Sequence, residues 1–127
     1  MPMSTATATA TEPDPKSSDG SEVGSFDHQE TECLSRLFSA LGDPSRLTIL
    51  RVLDSEGAMC VSDLANAVGL SISAVSHQLR LLRDRELIKA RRKGREVRYS
   101  ISDDHVAMML DVGLEHAMHD CSKRRRS

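Results

Sequence analysis

The stretch of sequence that decides the fold is residues 61–85, VSDLANAVGLSISAVSHQLRLLRDR. Apolar residues recur at helical spacing over residues 61–68, and Gly69 ends that helix and supplies a turn. Ser71 then caps a second helix, which reaches Arg85 and buries three apolar residues: Val75, Leu79 and Leu82. A short helix, a short turn containing glycine and a second helix are typical of the helix-turn-helix motif.

The outward side of the second helix is polar, with short or forked hydrogen-bonding side chains. Such side chains suit the base edges and phosphates of DNA. Taken alone, a polar helix face is also what plain solvation would produce. On the DNA-binding hypothesis this is the recognition helix, and its candidate contacts are Ser71, Ser73, Ser76, His77, Gln78 and Arg80.

Residues 87–101 alternate polar and apolar side chains on both sides of Lys93-Gly94-Arg95, which predicts a β-hairpin with a basic tip. Nine basic and three acidic side chains lie between Arg80 and Arg98. This crowding of like charge beside the recognition helix favours a DNA-binding wing over an ordinary solvated surface. The candidate phosphate contacts of the wing are Arg91, Arg92, Lys93 and Arg95.

Two helices are predicted before the motif. The first follows an apolar stripe from about Gln29 to Leu41. Asp43 and Pro44 then start a strongly apolar second helix, as its N-cap and its first helical residue, and Ser55-Glu56-Gly57 ends it. Together with the hairpin, these elements predict a mainly α-helical winged helix-turn-helix fold.

The chain divides by composition into three segments. Residues 1–28 form a disordered acidic tail, residues 29–121 a DNA-binding and dimerisation domain, and residues 122–127 a basic tail. The net charge of −2 hides an asymmetry: residues 1–32 carry one lysine and seven acidic residues, whereas residues 33–127 carry a net charge of +4. The basic charge is thus concentrated in the folded part, where a nucleic-acid interface needs it.

The three cysteines form no close pair, which argues against a disulfide framework and fits a reducing compartment. No stretch resembles a transmembrane span or a signal peptide. We therefore expect a cytoplasmic protein without a membrane partner. A folded part of about 95 residues buries a modest core, which makes oligomerisation a reasonable expectation.

A last helix, predicted from near Ser102 to near His119, carries an unusual set of metal-binding side chains. They are Asp103, His105, His116, His119 and Cys121. His116 and His119 are neighbours on one helical face, whereas His105 lies three turns away, about 16 Å along the axis. Zinc needs nitrogen ligands at about 2.0–2.1 Å, so one helix cannot close a site, but two antiparallel copies can. Asp103 reaches the ion only from the non-helical cap position.

Three runs of this sequence resemble the ArsR/SmtB family of bacterial metal-responsive repressors: residues 41–50 (LGDPSRLTIL), 60–64 (CVSDL) and 73–82 (SAVSHQLRLL). The resemblance covers about residues 33–121. It implies a homodimer that binds double-stranded operator DNA without metal and leaves the operator when metal binds.

The pattern Asp103-x-His105, ten residues, His116-x-x-His119 resembles the zinc site in the C-terminal helix of the SmtB and CzrA-type members. Four nitrogen and oxygen ligands favour Zn²⁺, with Co²⁺ next, and thiophilic arsenite is disfavoured. The family's other metal site would fall at Cys60 and Asp63. No cysteine in residues 1–32 completes it, and Cys60 has the alternative role of a small apolar residue.

Two alternatives remain open at this point. The chain could be a winged-helix regulator without metal control that senses another signal, such as oxidation of Cys33 or Cys60. A metalloenzyme is weakly supported, because four protein ligands leave no open position for a substrate and no nucleophile–base pair is visible.

Overall fold

The computed structural model describes residues 26–126, with side chains from 26 to 124. Five helices and two strands follow in the order α1 (His28–Leu41), α2 (Pro44–Glu56), α3 (Val61–Val68), α4 (Ile72–Asp84), β1 (Ile88–Lys93), β2 (Glu96–Ile101) and α5 (Asp104–Arg126). The chain divides into two units, residues 1–35 and 36–127. Of the tail predicted to be disordered, residues 1–25 lie outside the described residues.

In the described part of the first unit, the Asp27 carboxylate accepts the backbone N–H of Gln29 at 2.8 Å, at the start of α1. In the second unit, the predicted junction between α1 and α2 is confirmed. Asp43 is the N-cap of α2, with Pro44 in its first turn, and its carboxylate accepts the N–H of Arg46 at 3.0 Å.

The helix-turn-helix is confirmed in the segment where the sequence predicts it. Helix α3 ends at Gly69, whose φ of 73° is a left-handed conformation that favours glycine. Ser71 caps α4, as the sequence predicts. The chain enters α3 through Cys60 in extended conformation, one residue before the helix begins, and no side chain caps it.

The core of the second unit is aliphatic and is built mainly by α2, α3 and α4. Strand β1 and the first turn of α5 close it through Ile88 and Val106, which are 4% exposed. The fully buried side chains are Ile49, Leu50, Leu53, Leu64, Val75, Leu79 and Leu82. The three inward residues predicted for the recognition helix therefore fix α4 on the core and leave its opposite face to solvent.

The wing is an antiparallel hairpin in which Ile88 pairs with Ile101 and Lys93 with Glu96. Its connecting loop is Gly94-Arg95, one residue shorter than expected, because Lys93 continues β1. Gly94 has a φ of 65° at the first loop position, where two-residue turns favour glycine. A β-bridge between Met59 and Tyr99 lays the segment before α3 along the other edge of β2.

Helix α5 begins, as predicted, beside Asp103, whose carboxylate accepts the N–H of Val106 at 3.2 Å. It continues to Arg126, well past the predicted end near His119. Residues 120–126 contain neither glycine nor proline, and Arg124 forms an i,i+4 ion pair with Asp120 at 3.2 Å. Among residues 26–126, no helix combines the length and apolar character needed to cross a membrane.

Candidate nucleic-acid and metal sites

The recognition helix presents most of its predicted DNA contacts to solvent. Ser71 is exposed, and its hydroxyl accepts the N–H of Ala74 at 3.1 Å. It therefore caps α4 and lies at the N-terminal end of that helix. The side chains of Ser73, His77 and Arg80 are exposed, and that of Ser76 is half-buried. The N-terminal part of a recognition helix is the part that meets base edges, so these residues are well placed for DNA.

Gln78 differs from the other candidates because its carbonyl oxygen is already engaged. Arg46 donates from Nη1 to Oε1 of the half-buried Gln78 at 3.2 Å. The same guanidinium donates from Nε to the backbone oxygen of Ala40 at 2.8 Å and from Nη2 to that of Ser39 at 3.4 Å. Arg46 therefore ties the end of α1 and the start of α2 to the recognition helix. Gln78 thus takes part in these structural hydrogen bonds as well as in the DNA-facing surface.

Sequence reasoning missed Arg46, although its guanidinium joins three helices. The local pattern places it in the first turn of α2, where an arginine is expected to be an ordinary solvated residue. Its partners at residues 39, 40 and 78 are brought together only by tertiary packing. A fork of donors facing two carbonyls in the last turn of a helix is the geometry for which arginine is suited, although the carbonyl of Ser39 also accepts the N–H of Gly42 at 3.2 Å.

Replacing Arg46 by methionine is expected to destabilise the fold by about 2 kcal/mol. The change removes a charged donor and leaves the α1 carbonyls and the Gln78 oxygen without it. Urea unfolding followed by circular dichroism measures the loss. Arg83→Met, at an exposed position on α4, is the matched control and should change stability little. Equal stability of the two variants would contradict the role assigned to Arg46.

Ile72 is a second residue that sequence reasoning missed. It is 53% exposed at the start of α4, one helical turn before Ser76 and two before Arg80. Exposure of a large apolar side chain to water on this face of the helix is unfavourable. In the major groove, apolar side chains contact the methyl group of thymine. The signal in the sequence is an isoleucine between two serines at the start of the recognition helix.

The wing carries all four of its predicted phosphate contacts on exposed positions: Arg91, Arg92, Lys93 and Arg95. Lys89 and Arg98, which the sequence reasoning left out, add two further cations on the same hairpin. Arg95 and Gly94 form the tip, and Arg91 and Lys93 point to the face of the hairpin that is turned away from the core, as the pairing register requires.

Of the four predicted metal ligands, the structure brings two together. Nδ1 of His105 lies 3.6 Å from Oδ1 of Asp103, with the side chains 89% and 55% exposed. Asp103 does occupy the cap position that metal binding requires of it. His116 and His119 are exposed farther along α5 and share a helical face, and His116 lies about 16 Å along the axis from His105.

Within the described part of the chain, no three His, Cys, Asp or Glu side chains gather closely enough to hold a metal ion. A four-ligand site on α5 would therefore need ligands from a second chain. At the alternative site, Cys60 is half-buried and its Sγ lies 3.3 Å from Oγ of Ser62, while Asp63 is exposed.

An apolar groove of about 920 Å³ opens on the second unit between α5, the end of α1 and the first part of α2. Phe38 is 57% exposed and Val112 63% exposed, although both line this groove. Other lining residues include Leu41, Leu47, His105, Met108, Leu114 and Ala117. One metal-ligand candidate, His105, is therefore among the residues that line this apolar groove.

Comparison with known proteins gives consistent matches. Residues 43–90 match the family model described as "Bacterial regulatory protein, arsR family". A transcriptional repressor SmtB homolog from Synechocystis sp. is 51% identical over 95 residues, 75% of this chain and 70% of that protein. A cadmium resistance transcriptional regulatory protein CadC homolog from Staphylococcus aureus is 39% identical over 83 residues, 65% of this chain and 69% of that protein.

Among solved structures, the homodimeric winged helix-turn-helix DNA-binding domain of a Mycobacterium bovis protein superposes with a TM-score of 0.66. The sequences are 29% identical, and the match covers 74% of this chain and 88% of that chain. The family model, over residues 43–90, spans the helix-turn-helix. The winged helix-turn-helix fold predicted from the sequence is thereby confirmed.

Proposed function

Because the chain belongs to the arsR family of bacterial regulatory proteins, we propose that it is a metal-responsive transcriptional repressor acting in the cytoplasm. In this proposal a metal-free homodimer binds operator DNA, and Zn²⁺, or Co²⁺ less strongly, releases it. The observation that carries the metal assignment is the Asp103–His105 pair at 3.6 Å at the start of α5. His116 and His119 complete the donor set on the same helix.

The groove beside α5 supports the homodimer. Exposed apolar side chains on one helix, next to a concave apolar surface, mark a site of association. A second copy offers the complementary surface, since a two-fold interface joins the same patch of both chains. The matching Mycobacterium bovis domain is described as homodimeric. We assign this groove to the dimer interface, with the α5 helices antiparallel.

The antiparallel arrangement also explains why the metal ligands are split. Asp103 and His105 of one chain would face His116 and His119 of the other, giving two equivalent sites per dimer. Three imidazole nitrogens and one carboxylate oxygen fit four-coordinate Zn²⁺, which in such a site supplies a cross-link between chains. The staphylococcal relative is named for cadmium resistance, but the donor set proposed here contains no thiolate.

DNA binding is assigned to α4 and the wing of each chain. The two recognition helices enter successive major grooves of a roughly palindromic site, and each wing follows the adjoining phosphates. Ser73, His77 and Arg80 are the exposed polar contacts of α4. The cross-linked α5 helices hold the two recognition helices at a spacing that no longer fits the operator.

Ile72→Ala is expected to weaken binding to the operator about four-fold for each half-site, as loss of about 0.8 kcal/mol of apolar contact with a thymine methyl implies. The probe is the duplex that the metal-free wild-type protein selects from random-sequence DNA. Replacing its thymines by deoxyuridine should weaken wild-type binding at one position of each half-site by the same factor. If Ile72→Ala loses affinity equally for the thymine and the deoxyuridine duplex, Ile72 does not read that methyl group.

The direct test of the metal assignment is the stoichiometry of Zn²⁺ binding by calorimetry, with the dimer fraction measured on the same sample. One Zn²⁺ per chain is expected, and none for a variant in which both His116 and His119 are alanine. Full Zn²⁺ binding by that double variant would refute the assignment of the ligands.

A further inference from the structure

The outer face of the wing forms a basic trough that neither the recognition helix nor the hairpin tip includes. Its floor is β2, with Arg98 and Ser100. One wall is β1, with Lys89 and Arg91, and the other is the segment at Ala58, which the Met59–Tyr99 bridge holds against β2. The trough has a volume of about 570 Å³ and begins at Lys93, next to the tip.

The charges in this trough are poorly balanced. Arg91 pairs directly with Arg98 across the two strands, and like charges directly opposite one another destabilise a hairpin. The one acid on this face of the hairpin is Glu96, whose Oε1 lies 3.4 Å from Nη2 of Arg98. That pair is half exposed, so solvent screens it strongly.

Arg98 has a further unmet requirement. Its Nε is inaccessible to solvent and has no hydrogen-bond partner among the described residues. An anion placed between Arg91 and Arg98 would relieve their repulsion and accept hydrogen bonds from their terminal guanidinium nitrogens, which suit phosphate oxygens. The hydroxyl of Ser100 lies along the same trough and can donate to the same kind of group.

We propose that this trough binds the phosphodiester backbone of DNA beyond the operator half-site, outside the contacts of α4 and of the tip. The inference rests on the proposed function, since the tip must first meet DNA. A backbone that passes the tip at Gly94-Arg95 meets Lys93 next and then the Arg91–Arg98 pair. The wing thereby extends the footprint of each chain into flanking DNA without reading its sequence.

The test compares two duplexes: the selected operator trimmed to its core, and the same operator with about ten flanking base pairs, about one helical turn, on each side. Arg98→Gln should bind the flanked duplex several-fold more weakly than wild type does. Its log–log salt slope should fall by about 1.8, the value for one lost phosphate contact in each of the two chains. On the trimmed duplex the variant and wild type should bind alike.

Two controls keep the result specific. Arg98→Lys retains the charge and should retain the salt slope on the flanked duplex. The melting temperature of Arg98→Gln should not fall, because the substitution removes a like-charge pair, so weaker binding would not reflect unfolding.

An unchanged salt slope for Arg98→Gln on the flanked duplex would overturn the assignment. So would an equal loss on both duplexes, which would place the contact inside the half-site. A site for free phosphate would instead give thermal stabilisation of wild type by inorganic phosphate with no change in slope, and would also refute it. Failure of wild type to bind either duplex would contradict the proposed function itself.

Discussion

Replacing His116 by alanine is expected to abolish the effect of Zn²⁺ on operator binding. The metal-free protein should bind the operator about as wild type does, because His116 lies on α5 and outside the DNA-binding elements. Coupling between two sites is typically worth 5–150-fold in affinity. The ratio of operator affinities without and with Zn²⁺ should fall to about one in the variant, because the site loses a ligand supplied by the second chain. Fluorescence anisotropy with and without Zn²⁺ measures it, and His105→Ala should behave in the same way.

The matched control is His28→Ala, which removes an exposed histidine at the start of α1. It should keep the full Zn²⁺ response. A response that survives in His116→Ala and in His105→Ala would show that the signal is read elsewhere. The cysteines would then be the next candidates: Cys33 and Cys121 are exposed and Cys60 is half-buried.

Replacing Val112 by aspartate is expected to convert the dimer to a monomer at micromolar concentration. Val112 is 63% exposed in one chain and lines the groove, so the change should leave the chain folded. In the dimer, two-fold symmetry would bury one carboxylate from each chain in the interface. We expect the dissociation constant of the dimer to rise by at least about 100-fold, equivalent to about 2.7 kcal/mol. Sedimentation velocity measures the change.

Ile72→Asp is the control of matched chemistry, since Ile72 is an aliphatic residue 53% exposed and lies outside the groove. This variant should remain dimeric while its DNA binding falls. Of the two aspartate variants, only Val112→Asp is thus expected to lose the dimer. A dimeric Val112→Asp protein would show that the groove beside α5 is not the interface.

The elements that sequence predicted well are those fixed by local chemistry. Asp43 and Pro44 start α2 through interactions confined to its first turn. The Asp43 side chain accepts a backbone N–H there, and Pro44 lacks an N–H at a position where none is needed. Gly69 ends α3 because its left-handed conformation suits glycine. The burial of Val75 and Leu79 followed from helical periodicity alone.

What sequence could not supply depends on distant partners or on weak local signals. The end of α5 was placed too early because Asp120 to Arg126 carries no apolar repeat, although its residues sustain a helix. The engagement of Gln78 depends on Arg46, which is 32 residues away in the chain. For the metal site, spacing predicted the ligand pairs and the need for a second chain. The cap position predicted for Asp103 is the one it occupies, and the structure adds its hydrogen bond to the N–H of Val106.

The most direct test of the repressor proposal is the affinity of the wild-type dimer for its selected operator, measured in the absence and presence of saturating Zn²⁺. The same samples allow the reciprocal measurement, in which operator DNA weakens Zn²⁺ binding by the same factor. The proposal predicts that Zn²⁺ weakens operator binding by 5-fold or more, within the usual range for such coupling. An operator affinity that Zn²⁺ leaves unchanged would contradict it.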